Sequence, residues 1–172
     1  MRWIWIDRIV EFEANQRLVA IKNVSLAEEH LHDHFAADDE LAARPLMPAT
    51  LLIEGMAQTA GILVGSVHGF REKVILGKIT TARFDAEVAP GQTVRYEARL
   101  ERIDAQGAST RGLVQRNTHT GDGWEPIGRV DLLFSHIDQN LAGITFPEEN
   151  FVFSETLRMV LRSAGLEGLM AT

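Results

Sequence analysis

The sequence contains no cysteine among its 172 residues. Disulfide frameworks and thiolate chemistry are therefore excluded, and the absence is consistent with a cytoplasmic protein. Positive charge is also scarce, because 17 Lys and Arg residues stand against 24 Asp and Glu residues, for a net charge of −7. A general nucleic-acid-binding protein would show the opposite balance, so we expect no nucleic-acid partner.

The remaining composition is typical of a globular domain, with 45% hydrophobic residues. From Pro45 to Val67 the only ionisable residue is Glu54. The length of this stretch would permit a membrane span, but a carboxylate at the centre of a span costs about 2.5–3.5 kcal/mol. The flanking segments resemble amphipathic strands. We therefore expect a core helix of a soluble protein and no membrane association.

The strands are predicted from apolar alternation. Residues 8–13 and 17–24 alternate around Ala14-Asn15-Gln16, which predicts a hairpin. Longer runs follow at 74–88, 92–103, 108–118 and 127–137, separated by the turn residues Pro90-Gly91, Gln106-Gly107 and Gly121-Asp122-Gly123. This order predicts an antiparallel meander with one wet and one dry face.

The helix is predicted to open with Pro48 at its first position and to end at His68-Gly69. Its apolar residues occupy nearly every angular position, which predicts burial on all sides. The stretch from Ser25 to Arg44 has no sustained period and is predicted to be a long loop, a setting that is often functional.

Together these elements predict an α+β hotdog fold, in which a curved antiparallel sheet wraps one long central helix. We assign residues 1–139 to this domain and residues 140–172 to a C-terminal extension. Within the extension, the residues from Ser154 to Arg162 predict a short amphipathic helix with a serine cap.

Glu54 is the most informative residue, because it lies in the middle of the most apolar helix with Gln58 one turn later on the same face. Burial disfavours the charged form of a carboxylic acid, so such a group can stay protonated and act as a general acid. The alternative is a structural glutamate that bonds to Gln58 or to a partner chain.

His34 lies in the loop before the helix, in the run His30-Leu31-His32-Asp33-His34-Phe35. The spacing of the three histidines could suggest a metal site, but no further ligand motif accompanies them. A histidine in a polar loop is usually solvated. The proximity to an apolar helix that carries Glu54 instead favours an acid–base pair, and we predict no metal.

The chain resembles the 3-hydroxyacyl-acyl-carrier-protein dehydratases of type II fatty acid synthesis over roughly residues 4 to 138. The resemblance is carried by Lys22-Asn23-Val24-Ser25, His34-Phe35, Pro45, Pro48 and the run from Glu54 to Gly61, with weaker similarity at Asp7-Arg8-Ile9, Ala82-Arg83-Phe84 and Val88-Ala89-Pro90-Gly91. The combination is specific, although each piece alone is weak.

The resemblance implies dehydration of a (3R)-3-hydroxyacyl thioester to the trans-2-enoyl thioester. His34 would remove the C2 proton and Glu54 would protonate the departing hydroxyl. Substrate binding would involve Phe35, Pro48, Ala49, Thr50 and Gln58, with backbone N–H groups at the helix start polarising the thioester carbonyl. No cofactor is implied.

The resemblance also implies partners. The acyl chain would be carried by acyl carrier protein or coenzyme A, and would lie in a tunnel along the interface of a homodimer or of a trimer of dimers. An acidic carrier would need a local basic patch, for which Arg71, Lys73, Lys78 and Arg83 are candidates, unless these residues are simply solvated.

Several positions depart from the family pattern. The chain has Ala36-Ala37 where the family has Pro-Gly, an insertion within Ala36 to Arg44, Ala49 in place of Gly, and Gly55 in place of Ala. Two alternatives therefore stay open. A hotdog thioesterase would use the helix carboxylate to activate water, and a non-catalytic hotdog subunit would bind acyl chains without turnover.

Overall fold

A computed structural model describes residues 3–33, 37–40, 42–121, 123–136 and 155–169. Its strands are β1 (Arg8–Glu13), β2 (Arg17–Asn23), β3 (Val74–Phe84), β4 (Thr93–Asp104), β5 (Gly107–Asn117) and β6 (Glu125–His136). Its helices are α1 (Glu29–Asp33), α2 (Ala49–Val67) and α3 (Glu155–Ser163), followed by a 3-10 turn at Glu167–Leu169.

The strands form one antiparallel six-stranded sheet in the order β1-β2-β4-β5-β6-β3. Alternation in β4 decides which face is dry, because Val94, Tyr96 and Ala98 are fully buried while Arg95 and Glu97 lie on the other face. The predicted hairpin and hotdog fold are confirmed. The predicted meander holds for β4, β5 and β6, whereas β3 pairs with β6 at the edge of the sheet and not with β4.

Helix α2 lies across the dry face and contacts β2, β3, β4, β5 and β6. It buries Leu52, Met56 and Leu63 to 2% exposure or less. By length and composition this helix could cross a membrane, but the curved sheet wraps it as expected for a core helix.

The prediction that α2 is buried on all sides is wrong for a single copy of the protein. A stripe of partly or fully exposed residues runs along it, and we call this the open stripe: Thr50, Ile53, Glu54, Ala57, Gln58 and Gly61. Among the described residues, the sheet covers only one side of the helix, so the other side, which carries both apolar and polar residues, stays partly exposed.

Three smaller expectations are also corrected. The segment predicted as a loop between Ser25 and Arg44 contains the short helix α1. Pro48 is the residue that precedes α2 rather than its first helical residue. Strand β3 ends at Phe84 rather than at residue 88, since the chain turns there towards Pro90-Gly91.

Helix α3 confirms the predicted C-terminal helix, with bounds within one residue of those expected, while the capping Ser154 lies outside the described residues. The helix contacts β1, and Leu157, Val160 and Leu161 join the main apolar core. The division of the chain at residue 139 stays a prediction.

Candidate active site on the central helix

The Glu54 carboxylate lies on the open stripe and is partly buried, not fully buried as expected. Two N–H donors reach the same oxygen, Oε1: the Trp3 indole Nε1 at 3.1 Å and the Gln58 side-chain Nε2 at 2.9 Å. In the described residues no hydrogen bond to Oε2 is present. One carboxylate oxygen is therefore held and the other is open to a ligand.

The orientation of the Gln58 amide is determined by the backbone of Trp5. The Trp5 N–H donates to Gln58 Oε1 at 2.8 Å, and an amide N–H can only donate. Gln58 Nε2 must therefore face the other way, where it donates to Glu54 and, over 3.4 Å, to the carbonyl of Trp3. The predicted Glu54–Gln58 pair is confirmed as a hydrogen bond.

The segment before β1 thus covers this part of the helix. The rings of Trp3 and Trp5 meet edge to face with centroids 5.7 Å apart, and Trp5 meets the His30 ring in the same way at 5.0 Å. Trp5 is buried, whereas Trp3 is 62% exposed. Through Trp5 the site is connected to α1, the helix that leads to the segment of His34.

A buried lysine of β2 joins the residues that directly precede β1 and α1. Lys22 Nζ lies 2.6 Å from Glu28 Oε1 and 3.3 Å from Asp7 Oδ1. Glu28 also approaches His30, with 3.5 Å between Oε2 and Nε2. Because a buried ammonium needs paired acceptors, these contacts fix α1 against the two strands.

The inner side of α2 rests on Tyr96 at Gly55. A Cβ atom built at Gly55 would lie 2.4 Å from Tyr96 Cζ, so the ring occupies the space of a side chain. Burial, and then the charges of Asp7 and Glu28, raise the pKa of Tyr96 well above its usual range, which keeps the phenol neutral. The Tyr96 ring thus explains why position 55 carries glycine, where the resemblance implied alanine.

The start of α2 is open to an acceptor. Pro48 provides no side-chain cap for the first helical N–H groups. A cavity of about 390 Å³ lies beside it, lined by Pro48, Ala49, Leu52 and residues 84–87 among others. Glu54 does not line this cavity, because Leu52 and Glu54 point about 200° apart around the helix.

The predicted site residues are thus only partly brought together. Glu54, Gln58 and Thr50 share the open stripe, and Pro48 and Ala49 border the cavity. His34 and Phe35 lie outside the described residues. Their roles, like those of the others, stay predictions.

The histidine-based metal alternative is not tested, since the side chains of His32 and His34 are outside the described part of the chain. Within that part, no group of three or more His, Asp or Glu residues has the arrangement of a metal site.

The four residues of the suggested basic patch are spread out, which favours the alternative of solvated charges. Arg71, Lys73, Lys78 and Arg83 lie just before or along β3, where Lys73 and Arg83 are separated by about 33 Å of extended chain. Arg83 also pairs with Asp85 at 3.0 Å. Charges spread along an edge strand do not create a local field against a net charge of −7.

Sequence reasoning missed Trp3, Trp5 and Tyr96. The alternation Trp3-x-Trp5 was a usable signal, because residues two apart in an extended segment share one face. The hydrogen bond from Trp3 to a residue 51 positions later had no local signal.

Comparison with known families agrees with this geometry. A family model described as a FabA-like domain matches residues 3–122. The chain belongs to the FabA-like family. The match contains α2, the open stripe, the Trp3–Trp5 segment and strands β1 to β5, so the family assignment covers the site and all of the sheet except β6.

Curated relatives in the FabA-like family carry dehydratase names. The 3-hydroxyacyl-acyl-carrier-protein dehydratase FabZ of Thermomicrobium roseum is 32% identical over 149 residues, covering 83% of this chain and 89% of that protein. The enzyme of the same name from Solibacter usitatus is 36% identical over 115 residues, covering 64% and 65%. That match spans slightly less than two thirds of the relative.

Solved structures show the shared fold. The dehydratase heterocomplex ApeI:P from Xenorhabdus doucetiae superposes with a TM-score of 0.56 at 15% identity, covering 79% of this chain and 84% of that chain. A thioesterase family protein from Silicibacter pomeroyi gives a TM-score of 0.58 at 10% identity, covering 75% and 82%. Both confirm the hotdog architecture of this FabA-like chain.

Proposed function

We propose that this chain dehydrates a 3-hydroxyacyl thioester to the 2-enoyl thioester. A base takes the C2 proton, the released electron pair forms the C2–C3 double bond, and the C3–O bond breaks. The hydroxyl group leaves as water after it accepts a proton from Glu54. The dehydratase names of the FabA-like relatives support this reaction class.

The arrangement of Glu54 is the observation that carries the proposal. Its Oε1 accepts two N–H groups, which leaves Oε2 as the oxygen that can carry and deliver a proton. Oε2 belongs to a half-exposed side chain on the open stripe, so a substrate can reach it from outside the chain.

The start of α2 supplies the second element. Thr50 lies four residues, about 6 Å along the helix axis, before Glu54 on the same stripe. The uncapped N–H groups there, with the helix dipole, favour negative charge that develops on a thioester oxygen during removal of the C2 proton. A thioester carbonyl bound at the helix start would place C3 towards Glu54.

His34 is the proposed base. A second copy of the chain is proposed to form the other side of the tunnel that holds the acyl chain. The partly exposed open stripe, in which Ile53, Ala57 and Gly61 are apolar, supports a homodimer through α2, with a trimer of dimers as the larger assembly. The substrate would be carried by acyl carrier protein or coenzyme A in the cytoplasm, and the proposed steps need no cofactor.

The wild-type protein should hydrate crotonyl thioesters, the reverse reaction, which is measured as loss of enoyl absorbance. Crotonyl-coenzyme A and crotonyl-acyl carrier protein should both be assayed, with a thiol-reactive dye in parallel. Hydration without thiol release supports the dehydratase. Thiol release would favour the thioesterase, and a lack of both reactions would favour a non-catalytic subunit.

A further inference from the structure

Glu54 receives a donor from outside its own helix, the indole of Trp3. The two side chains are 51 residues apart in sequence, and the 3.1 Å contact joins Nε1 to Oε1. The indole N–H donates and cannot accept, and the carboxyl oxygen that carries no proton is the better acceptor for it. The hydrogen bond from Trp3 therefore disfavours protonation of Glu54 at Oε1.

The backbone of the same segment also favours Oε1 as the acceptor oxygen. Trp5 N–H orients Gln58 so that its amide also donates to Oε1. Trp3 in turn is steadied by the edge-to-face contact with the buried Trp5 ring. A 62% exposed tryptophan would otherwise sample several rotamers.

We infer that Trp3 is a positioning residue that, together with Gln58, holds Oε1 of Glu54 as an acceptor and thereby assigns the transferable proton to Oε2. This inference rests on the proposed dehydration. Trp3 acts through Glu54 and needs no contact with the reacting carbon atoms, so its loss affects the proton-transfer step more than substrate binding.

The kinetic test is Trp3→Phe, which keeps a ring and removes the N–H group. We expect kcat for crotonyl thioester hydration to fall about tenfold, while KM stays within about twofold. Trp124→Phe is the matched control, because Trp124 lies in the turn before β6 and contacts Arg95 rather than the site. It should keep the wild-type kcat.

A spectroscopic test does not depend on turnover. The chain has three tryptophans, so a ¹⁵N-labelled sample should show three indole N–H cross-peaks. Trp3→Phe identifies one of them by its disappearance. Glu54→Gln should shift that same cross-peak, because its acceptor changes from a carboxyl to an amide oxygen, and should leave the Trp124 cross-peak in place.

The outcomes separate this inference from the proposed function. An active wild-type enzyme with an unchanged kcat in Trp3→Phe would overturn the role of Trp3 and leave the dehydratase standing. If the Trp3 cross-peak did not shift in Glu54→Gln, the hydrogen bond between the two side chains would be contradicted. Absence of hydration by the wild-type chain on either carrier would instead sink the proposed function.

Discussion

Replacing Glu54 with Gln should lower the rate of crotonyl thioester hydration by about a hundredfold to ten-thousandfold, the usual contribution of a general acid. The amide oxygen can take the place of Oε1 and accept the donors from Trp3 and Gln58. The amide nitrogen then stands in place of Oε2, and it can neither give up a proton in dehydration nor take one from water in the reverse hydration. The substitution thus removes the acid and keeps its hydrogen bonds.

The same substitution should leave folding intact, so the melting temperature of Glu54→Gln should lie close to that of the wild type. His34→Ala should reduce the rate to a similar extent, since it removes the group proposed to take the C2 proton in dehydration and to return it in hydration. His32→Ala is the neighbouring control and should stay active, as should the wild type in the presence of a chelator. Full activity in both Glu54→Gln and His34→Ala would contradict the assigned roles.

Gly55→Ala should destabilise the fold although alanine is the better helix former. A Cβ at Gly55 would lie 2.4 Å from Cζ and 2.5 Å from the hydroxyl oxygen of Tyr96, a buried ring with little room to move. Overpacking costs about 1–3 kcal/mol and exceeds the helix gain of about 0.5–1 kcal/mol. We expect the melting temperature to fall by several degrees.

Two further variants identify the cause. Tyr96→Leu removes the ring atoms that meet the added methyl group, so Gly55→Ala in that background should be neutral or stabilising. Gly61→Ala is the matched change in the same helix and should be tolerated far better, since its nearest neighbour within the chain is Phe134 Cε1 at 3.7 Å. If Gly55→Ala lowered the melting temperature equally in the wild type and in Tyr96→Leu, the Tyr96 contact would be excluded as the reason.

Most of the sheet was predictable because its periodicity is strong. In β4, each second residue from Val94 to Ala98 is fully buried, as the alternation indicated. Helix α2 was also predictable from its apolar length and the Pro48 start. The short helix α1 was not, since five residues give too little pattern to distinguish a helix from a polar loop.

The open stripe shows the limit of pattern reasoning at the site. Ile53 and Ala57 are apolar on the uncovered side, just as Leu52 and Met56 are on the covered side. A hydrophobicity pattern reports that a face avoids water but not which surface covers it. Glu54 was found from its chemistry, whereas its partner Trp3 depends on tertiary placement that no local pattern encodes.

The contact between Gly55 and Tyr96 also restricts the order in which the two positions can change over generations. With Tyr96 in place, a lineage that acquires alanine at position 55 first passes through a crowded, less stable protein. If a smaller side chain first replaces Tyr96 on the strand, a larger side chain can then replace Gly55 on the helix. Descendants that acquire alanine at position 55 should therefore carry a smaller side chain opposite it, and the two sites should record paired rather than independent replacements.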